Sequence, residues 1–178
     1  MSVLILIILI CMVVHVLCLR GRKNNPGLEA LRGRYYAHRG LHDGEKPENS
    51  MAAFRAALEK GYGIEFDLHL LKDGTLAVMH DSDLKRTTGQ EGHMEDLTLQ
   101  DLPDYHLGGT DQVIPTFRQV LDLFDGKAPL IIELKTWKGN AAALTEAAVQ
   151  MLKDYKGPYC IESFDPRCIR YLKKHYPQ

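Results

Sequence analysis

From Tyr35 to the end of the chain, short apolar runs alternate with segments of helical period, and that rhythm admits few folds. YYAH at 35–38 reads as a first strand, GIEFDLHL at 63–70 as a second and TLAVMH at 75–80 as a third. PLIIELK at 129–135 and PYCIESF at 158–164 make a fourth and a fifth. Helical stretches lie between them. PENSMAAFRAALEKG has Ser50 in the N-cap place, Met51, Phe54 and Leu58 at helical spacing and Gly61 past its end. Pro115 opens PTFRQVLDLF, a further helix is expected from about 141 to 155, and PRCIRYLKKHY forms the last. KDG at 72–74 marks a tight turn. Residues 81–114, polar and glycine-rich with a short helical piece near Thr98–Leu102, read as an excursion from the core. Strand alternating with helix predicts parallel βαβ units, which doubly wound sheets and (β/α)8 barrels both contain. No GxGxxG or GxxxxGK[ST] is present to select a nucleotide-binding version.

The polar residues decide between the two. In GIEFDLHL, Ile64, Phe66, Leu68 and Leu70 alternate with Glu65, Asp67 and His69, so both carboxylates share a face. Their Cα atoms lie roughly 6.6 Å apart, and like charges that close repel unless a cation or a shared proton compensates them. Each remaining polar outlier also falls at a strand's C-terminal end: His38 and Arg39 after the first, His80 after the third, Glu133 and Lys135 on the fourth. In a barrel of parallel strands that end is the active-site face. The expected class is therefore α/β, of (β/α)8 TIM-barrel type, with Glu65, Asp67 and Glu133 as metal ligands. An all-oxygen set suits Mg2+ or Ca2+, while the two histidines leave zinc open. His38 and His80 form an acid/base pair, because imidazole titrates near neutral pH. Arg39 and Lys135 supply charge for an anion. Cation, imidazoles and basic side chains around one point describe phosphate ester chemistry.

The N-terminus differs from all this. VLILIILICMVVHVLCL is a nearly unbroken apolar run, which as a helix of about 17 residues measures roughly 26 Å against a hydrocarbon core of about 30 Å. The expectation is a transmembrane anchor at 1–20, a basic juxtamembrane linker at 21–34 and the barrel from 35 to 178. Arg20, Arg22 and Lys23 follow the run, with Arg32 and Arg34 close behind, which predicts a single-pass membrane protein with its catalytic domain in the cytoplasm. No basic segment precedes the run, as a cleavable signal would require. His15 within it has no explanation from the sequence. The four cysteines lack metal-type spacing and read as reduced and structural. A net charge of −1 without single-sign blocks excludes a polyanion surface of the kind nucleic acid needs.

AHRG at 37–40, PENS at 47–50, GIEFD at 63–67, DG followed by VMHD at 78–81, IPTF at 114–117 and IELK at 132–135 form an ordered set. Together they resemble the glycerophosphodiester phosphodiesterase family, from about Tyr35 to the end of the chain. The resemblance implies hydrolysis of glycerophosphodiesters to sn-glycerol 3-phosphate and an alcohol, with a divalent cation. By motif it makes His38 and His80 the catalytic histidines, Glu65, Asp67 and Glu133 the metal ligands, and Arg39 and Lys135 the phosphate holders. One histidine would activate the substrate glycerol's own hydroxyl against phosphorus and the other protonate the leaving group, giving a cyclic phosphate that water then opens. Glu48 and Asn49 match the motif after the first strand and would orient the site. Ser50 stands where threonine is commoner.

Two alternatives accompany this reading: a lysophospholipase-D-like enzyme on the same barrel, and a catalytically silent membrane-bound fragment. Residues 35–178 are fewer than the roughly 200 below which (β/α)8 barrels rarely go. The expectation is an incomplete barrel: an open, curved, five-stranded parallel sheet with helices on its outer face and no closure between first and last strands. Such a chain, tested alone, is expected to be poorly stable, prone to edge pairing and nearly inactive.

Overall fold

The computed structural model describes residues 3–19 and 26–177. Strands β1 (Tyr36–His38), β2 (Gly63–Leu70), β4 (Leu130–Leu134) and β5 (Tyr159–Glu162) run parallel in that order across one sheet. β1 and β5 are its two ends and do not pair with each other. One expectation is corrected here: β3 (Leu76–Val78) is antiparallel to β2, not a fourth parallel neighbour. The KDG turn is the reason, since a connection this short can only reverse the chain, whereas a parallel partner needs a crossover. Leu68 pairs with Leu134 on one side and Val78 on the other, so β2 outruns β1 and ends in a hairpin.

Helices α2 (Met51–Glu59), α4 (Phe117–Phe124), α5 (Ala141–Leu152) and α6 (Pro166–His175) fall where helical periodicity places them. Ser50 caps α2 by accepting from the Ala53 N–H, and Thr116 with Gln119 closes a capping box on α4, whose first residue, Phe117, is two later than the Pro115 start expected. The apolar face of β2, Ile64, Phe66 and Leu68, is fully buried in the main core. Phe66 packs against Phe54 of α2 and Phe117 of α4, with ring centroids 5.9 and 5.8 Å apart. The helices thus seal one face of the sheet, and the carboxylate face of β2 is left for the site.

The 81–114 excursion is better packed than its composition implies. Leu84, Met94, Leu97, Leu102, Leu107 and Ile114 join Leu71, Ala77 and Met79 in a second core. The short helix here is α3 (Lys85–Thr88), while the stretch around Thr98 is a turn leading into a 3-10 segment at Leu102–Asp104. Irregular spacing hid these apolar residues from a periodicity argument.

The N-terminal helix α1 covers Val3–Leu19, 17 residues, and no helix among the described residues is long and apolar enough to cross a membrane. The expected spanning anchor is therefore not met. Arg20, Arg22 and Lys23, with the first part of the expected linker, lie outside the described residues, as do the side chains of His15 and Cys18. Cys11, Cys160 and Cys168 are free thiols.

Candidate active site

Strand register assembles the site before any side chain is considered. Asp67 of β2 lies opposite Glu133 of β4, and Glu65 lies opposite His38 of β1. Paired residues of parallel strands point to the same face. The oxygens of Glu65, Asp67 and Glu133 accordingly lie within 4.8 Å of one another, all three residues buried.

The turn after β1 brings the first cation inward. Arg39 and Asn49 both adopt left-handed backbone, with φ of 57° and 56°, a conformation that costs roughly 1–3 kcal/mol in a non-glycine residue and persists only where the surroundings enforce it. They do so here. The Arg39 N–H donates to the Glu65 carbonyl at 2.9 Å, the Asn49 N–H to the Arg39 carbonyl at 2.9 Å, and Asn49 Nδ2 to Asp67 Oδ2 at 2.8 Å. Gly40 completes the turn with φ 82°, where a Cβ would come within 2.8 Å of that of Ala53. Arg39 Nη1 then donates to Glu48 Oε1 at 3.2 Å, and its Nε sits 3.6 Å from Asp67 Oδ2. Glu48 and Asn49, expected to orient the site, thus contact Arg39 and Asp67 respectively.

Lys135, at the end of β4, places Nζ 2.8 Å from Glu133 Oε1 and 3.0 Å from Asp67 Oδ1. Burial opposes its charge, but Glu133 and Asp67 outweigh burial and raise its pKa above that of ordinary lysine. Burial, with the repulsion of Asp67 and Glu133, pushes the Glu65 carboxyl up to about 7 against the opposing Arg39 N–H. His38 Nε2 stands 3.7 Å from Glu65 Oε2, beyond hydrogen-bond reach, with its ring largely exposed. His80 Nδ1 lies 2.6 Å from Asp81 Oδ1. His80 shares the wall of a cavity of about 400 Å3 with Glu133, Lys135, Trp137 and Phe164.

Of the seven residues expected at the site, His38 and Arg39 fall at the end of β1, His80 just after β3 and Glu133 and Lys135 at the end of β4, whereas Glu65 and Asp67 lie in the middle of β2, level with the ends of β1 and β4 by register. Asp81, Arg86 and Glu162 were not foreseen. Glu162 is paired with Glu133 on β5, and burial together with Glu133 and Asp67 raises its pKa. Its signal was legible: IESF repeats the carboxylate-in-strand pattern of IEFD and IELK. Behind the site, buried His69 lies 2.7 Å from Glu95 through Nδ1 and 3.3 Å from the His80 carbonyl through Nε2, tying the second core to the strand ends.

The donor set fits a hard divalent cation. Three carboxylates converge, no imidazole nitrogen belongs to the group, and Asp67 Oδ1 is buried with the Lys135 ammonium beside it but no aligned hydrogen bond. Such a set is of the oxygen type rather than the nitrogen and sulfur type of zinc.

Comparison with known proteins agrees with this geometry. The model of the glycerophosphoryl diester phosphodiesterase family matches residues 38–178, and the chain belongs to that family of phosphodiesterases. It is 36% identical over 152 residues to a glycerophosphodiester phosphodiesterase of Caldanaerobacter subterraneus subsp. tengcongensis, covering 79% of this chain and 62% of that protein. A lysophospholipase D of Rattus norvegicus is 35% identical over 136 residues, 69% of this chain and 42% of its own. A solved phosphodiesterase of Oleispira antarctica, in complex with the product sn-glycerol-3-phosphate, superposes with a TM-score of 0.77 at 27% identity, covering 84% of this chain and 65% of that one. The chain spans about three fifths of the length of the first of these relatives.

Proposed function

We propose that this protein hydrolyses glycerophosphodiesters to sn-glycerol 3-phosphate and an alcohol. The observation that carries the reading is the convergence of Glu65, Asp67 and Glu133 at the strand ends that also bear His38, His80, Arg39 and Lys135. The named product in the Oleispira antarctica complex supports the substrate class.

Glu65, Asp67 and Glu133 would hold Mg2+ or Ca2+, the hard cations an all-oxygen set suits. When bound, such an ion supplies charge neutralisation at the phosphate oxygens. Arg39 and Lys135 orient the phosphodiester by charge-assisted hydrogen bonds. One of His38 and His80 takes the proton from the glycerol hydroxyl next to the ester, whose oxygen then bonds to phosphorus. The bond from phosphorus to the headgroup oxygen breaks, and the other histidine protonates the departing alkoxide. Water opens the resulting cyclic phosphate with the proton roles reversed. In an intact homologous barrel, the changes corresponding to His38→Ala or His80→Ala should lower turnover by at least about 100-fold with the fold intact, as read by circular dichroism. Near-wild-type turnover in either variant overturns the assignment.

The kinship with a lysophospholipase D favours a second reading, in which the same residues cleave a lyso-phospholipid. Glycerophosphocholine and lysophosphatidylcholine offered side by side, with glycerol 3-phosphate and free choline both measured, separate the two. We also propose that the chain resides at a membrane, because α1 is apolar around its whole circumference and its described side chains are exposed, and that residues 35–178 lie on the cytoplasmic side, because Arg20, Arg22 and Lys23 follow the apolar run in the sequence. Recovery of the full chain in the soluble fraction of a cell lysate would overturn that placement.

A further inference from the structure

Two members of the site are held by one residue outside it. His80 Nδ1 faces Asp81 Oδ1 at 2.6 Å, and Arg86 Nε donates to the other Asp81 oxygen. The same guanidinium donates from Nη2 to Glu48 Oε1 at 2.6 Å, and that oxygen also accepts from Arg39 Nη1 at 3.2 Å. An unbroken chain of charge-assisted hydrogen bonds therefore joins His80 to Arg39 through Asp81, Arg86 and Glu48.

We propose that Arg86 is a positioning residue for this reaction, fixing the ring of His80 at one end and the guanidinium of Arg39 at the other. The inference rests on the phosphodiesterase reading above. An ionised carboxylate only accepts, so Asp81 requires the His80 proton on Nδ1 and leaves Nε2 as the nitrogen that exchanges protons with substrate. Asp81 alone would hold the ring loosely, because its side chain is partly exposed and free to rotate. Arg86 occupies its second oxygen and removes that freedom. Glu48 likewise keeps one edge of the Arg39 guanidinium engaged, with Nε held 3.6 Å from Asp67 Oδ2. Arg86 can serve both ends because α3 is anchored: Leu84 is fully buried in the second core and Thr87 is buried beside it. A Lys at this position would reach one carboxylate as a point charge but could not fork to two.

The two ends predict separable kinetic signatures in the full chain. Asp81→Asn should lower kcat by about tenfold or more with little change in KM, while Glu48→Gln should raise KM with kcat nearly kept. Arg86→Ala should do both, and Arg86→Lys should recover only one of the two losses. Asp81→Asn combined with Arg86→Ala should lose no more in kcat than the worse single variant, since both act through the same ring. The independent readout is the nitrogen-15 spectrum of the His80 ring, assigned by its disappearance in His80→Gln. Wild type should show the Nδ1–H tautomer, and Arg86→Ala a mixture of both tautomers. A wild-type ring protonated on Nε2, or an Arg86→Ala ring unchanged from wild type, overturns the proposal, as do losses that merely track the folded fraction. If wild type fails to turn over glycerophosphodiesters, the functional reading falls, and the ring spectra alone decide the role of Arg86.

Discussion

β2 and β5 are parallel strands of one sheet, each presenting a carboxylate to the same face, yet their surroundings differ sharply. Seven of the eight β2 residues are buried, flanked by β1 and β3 on one side and β4 on the other. β5 lies at the sheet's end, with Tyr159 exposed, Glu162 open to water on one side although partly desolvated beside Glu133, and Phe164 beyond it 92% exposed. Identical secondary structure thus yields a desolvated site on one strand and a more solvated margin on the other. Burial is what makes charge consequential: a carboxylate removed from water must find a cation or a proton, whereas an exposed one need not.

The comparison breaks most decisively at the carboxylates. Asp67→Ala should remove detectable binding of divalent cations in calorimetry together with turnover, whereas Glu162→Gln should change either by less than about tenfold. Equal losses from both would place β5 inside the site on the same footing as β2.

Core substitutions test the packing side of the same contrast. Phe66→Ala, which empties a fully buried position between Phe54 and Phe117, should cost about 3–5 kcal/mol in denaturant unfolding. Ile161→Ala on β5, only partly buried, should cost less than half as much.

A pH dependence follows from β2 alone. Glu65 has an ordinary carboxyl pKa in the unfolded chain but titrates at about 7 when folded. Between those values the folded state keeps a proton that the unfolded state has released, so this contribution is present at acid pH and lost as pH rises towards and through 7. Without divalent cation, stability should fall over that range by on the order of 2 kcal/mol once solvent screening is allowed for. Glu65→Gln should flatten the profile. A profile unchanged by that substitution would assign the slope elsewhere.

The smallest effect is expected at the margin itself. Phe164→Ser, at a side chain in open contact with water, should change the free energy of unfolding by no more than about 0.5 kcal/mol. A larger loss would mean that the β5 end is packed more like β2 than its exposure indicates.

The chain's own order of residues determined much of this. Period-two alternation in GIEFDLHL fixed which residues of β2 seal the core and which face the site, because successive side chains in a strand must point to opposite faces. Ser50 announced the start of α2, since its hydroxyl satisfies an N–H the helix cannot. The same local logic, applied to KDG, should have made β3 antiparallel, and the rhythm of alternation overrode it. Glu162 was missed although its motif repeats those of Glu65 and Glu133, because only register shows that β5 sets it beside Glu133.

Tertiary structure decided what depends on partners distant in sequence. The bridge from Arg39 through Glu48 and Arg86 to Asp81 joins segments nearly forty residues apart, and no periodicity encodes such a meeting. The second core within 81–114 is likewise a product of packing, since its apolar residues share no single period. The elevated Glu65 pKa exists only because strand pairing buries that carboxyl beside two others. Alternation and capping are settled by near neighbours along the chain, whereas charge coupling and burial are settled in space, where side chains from separate strands compete for the same water-free volume.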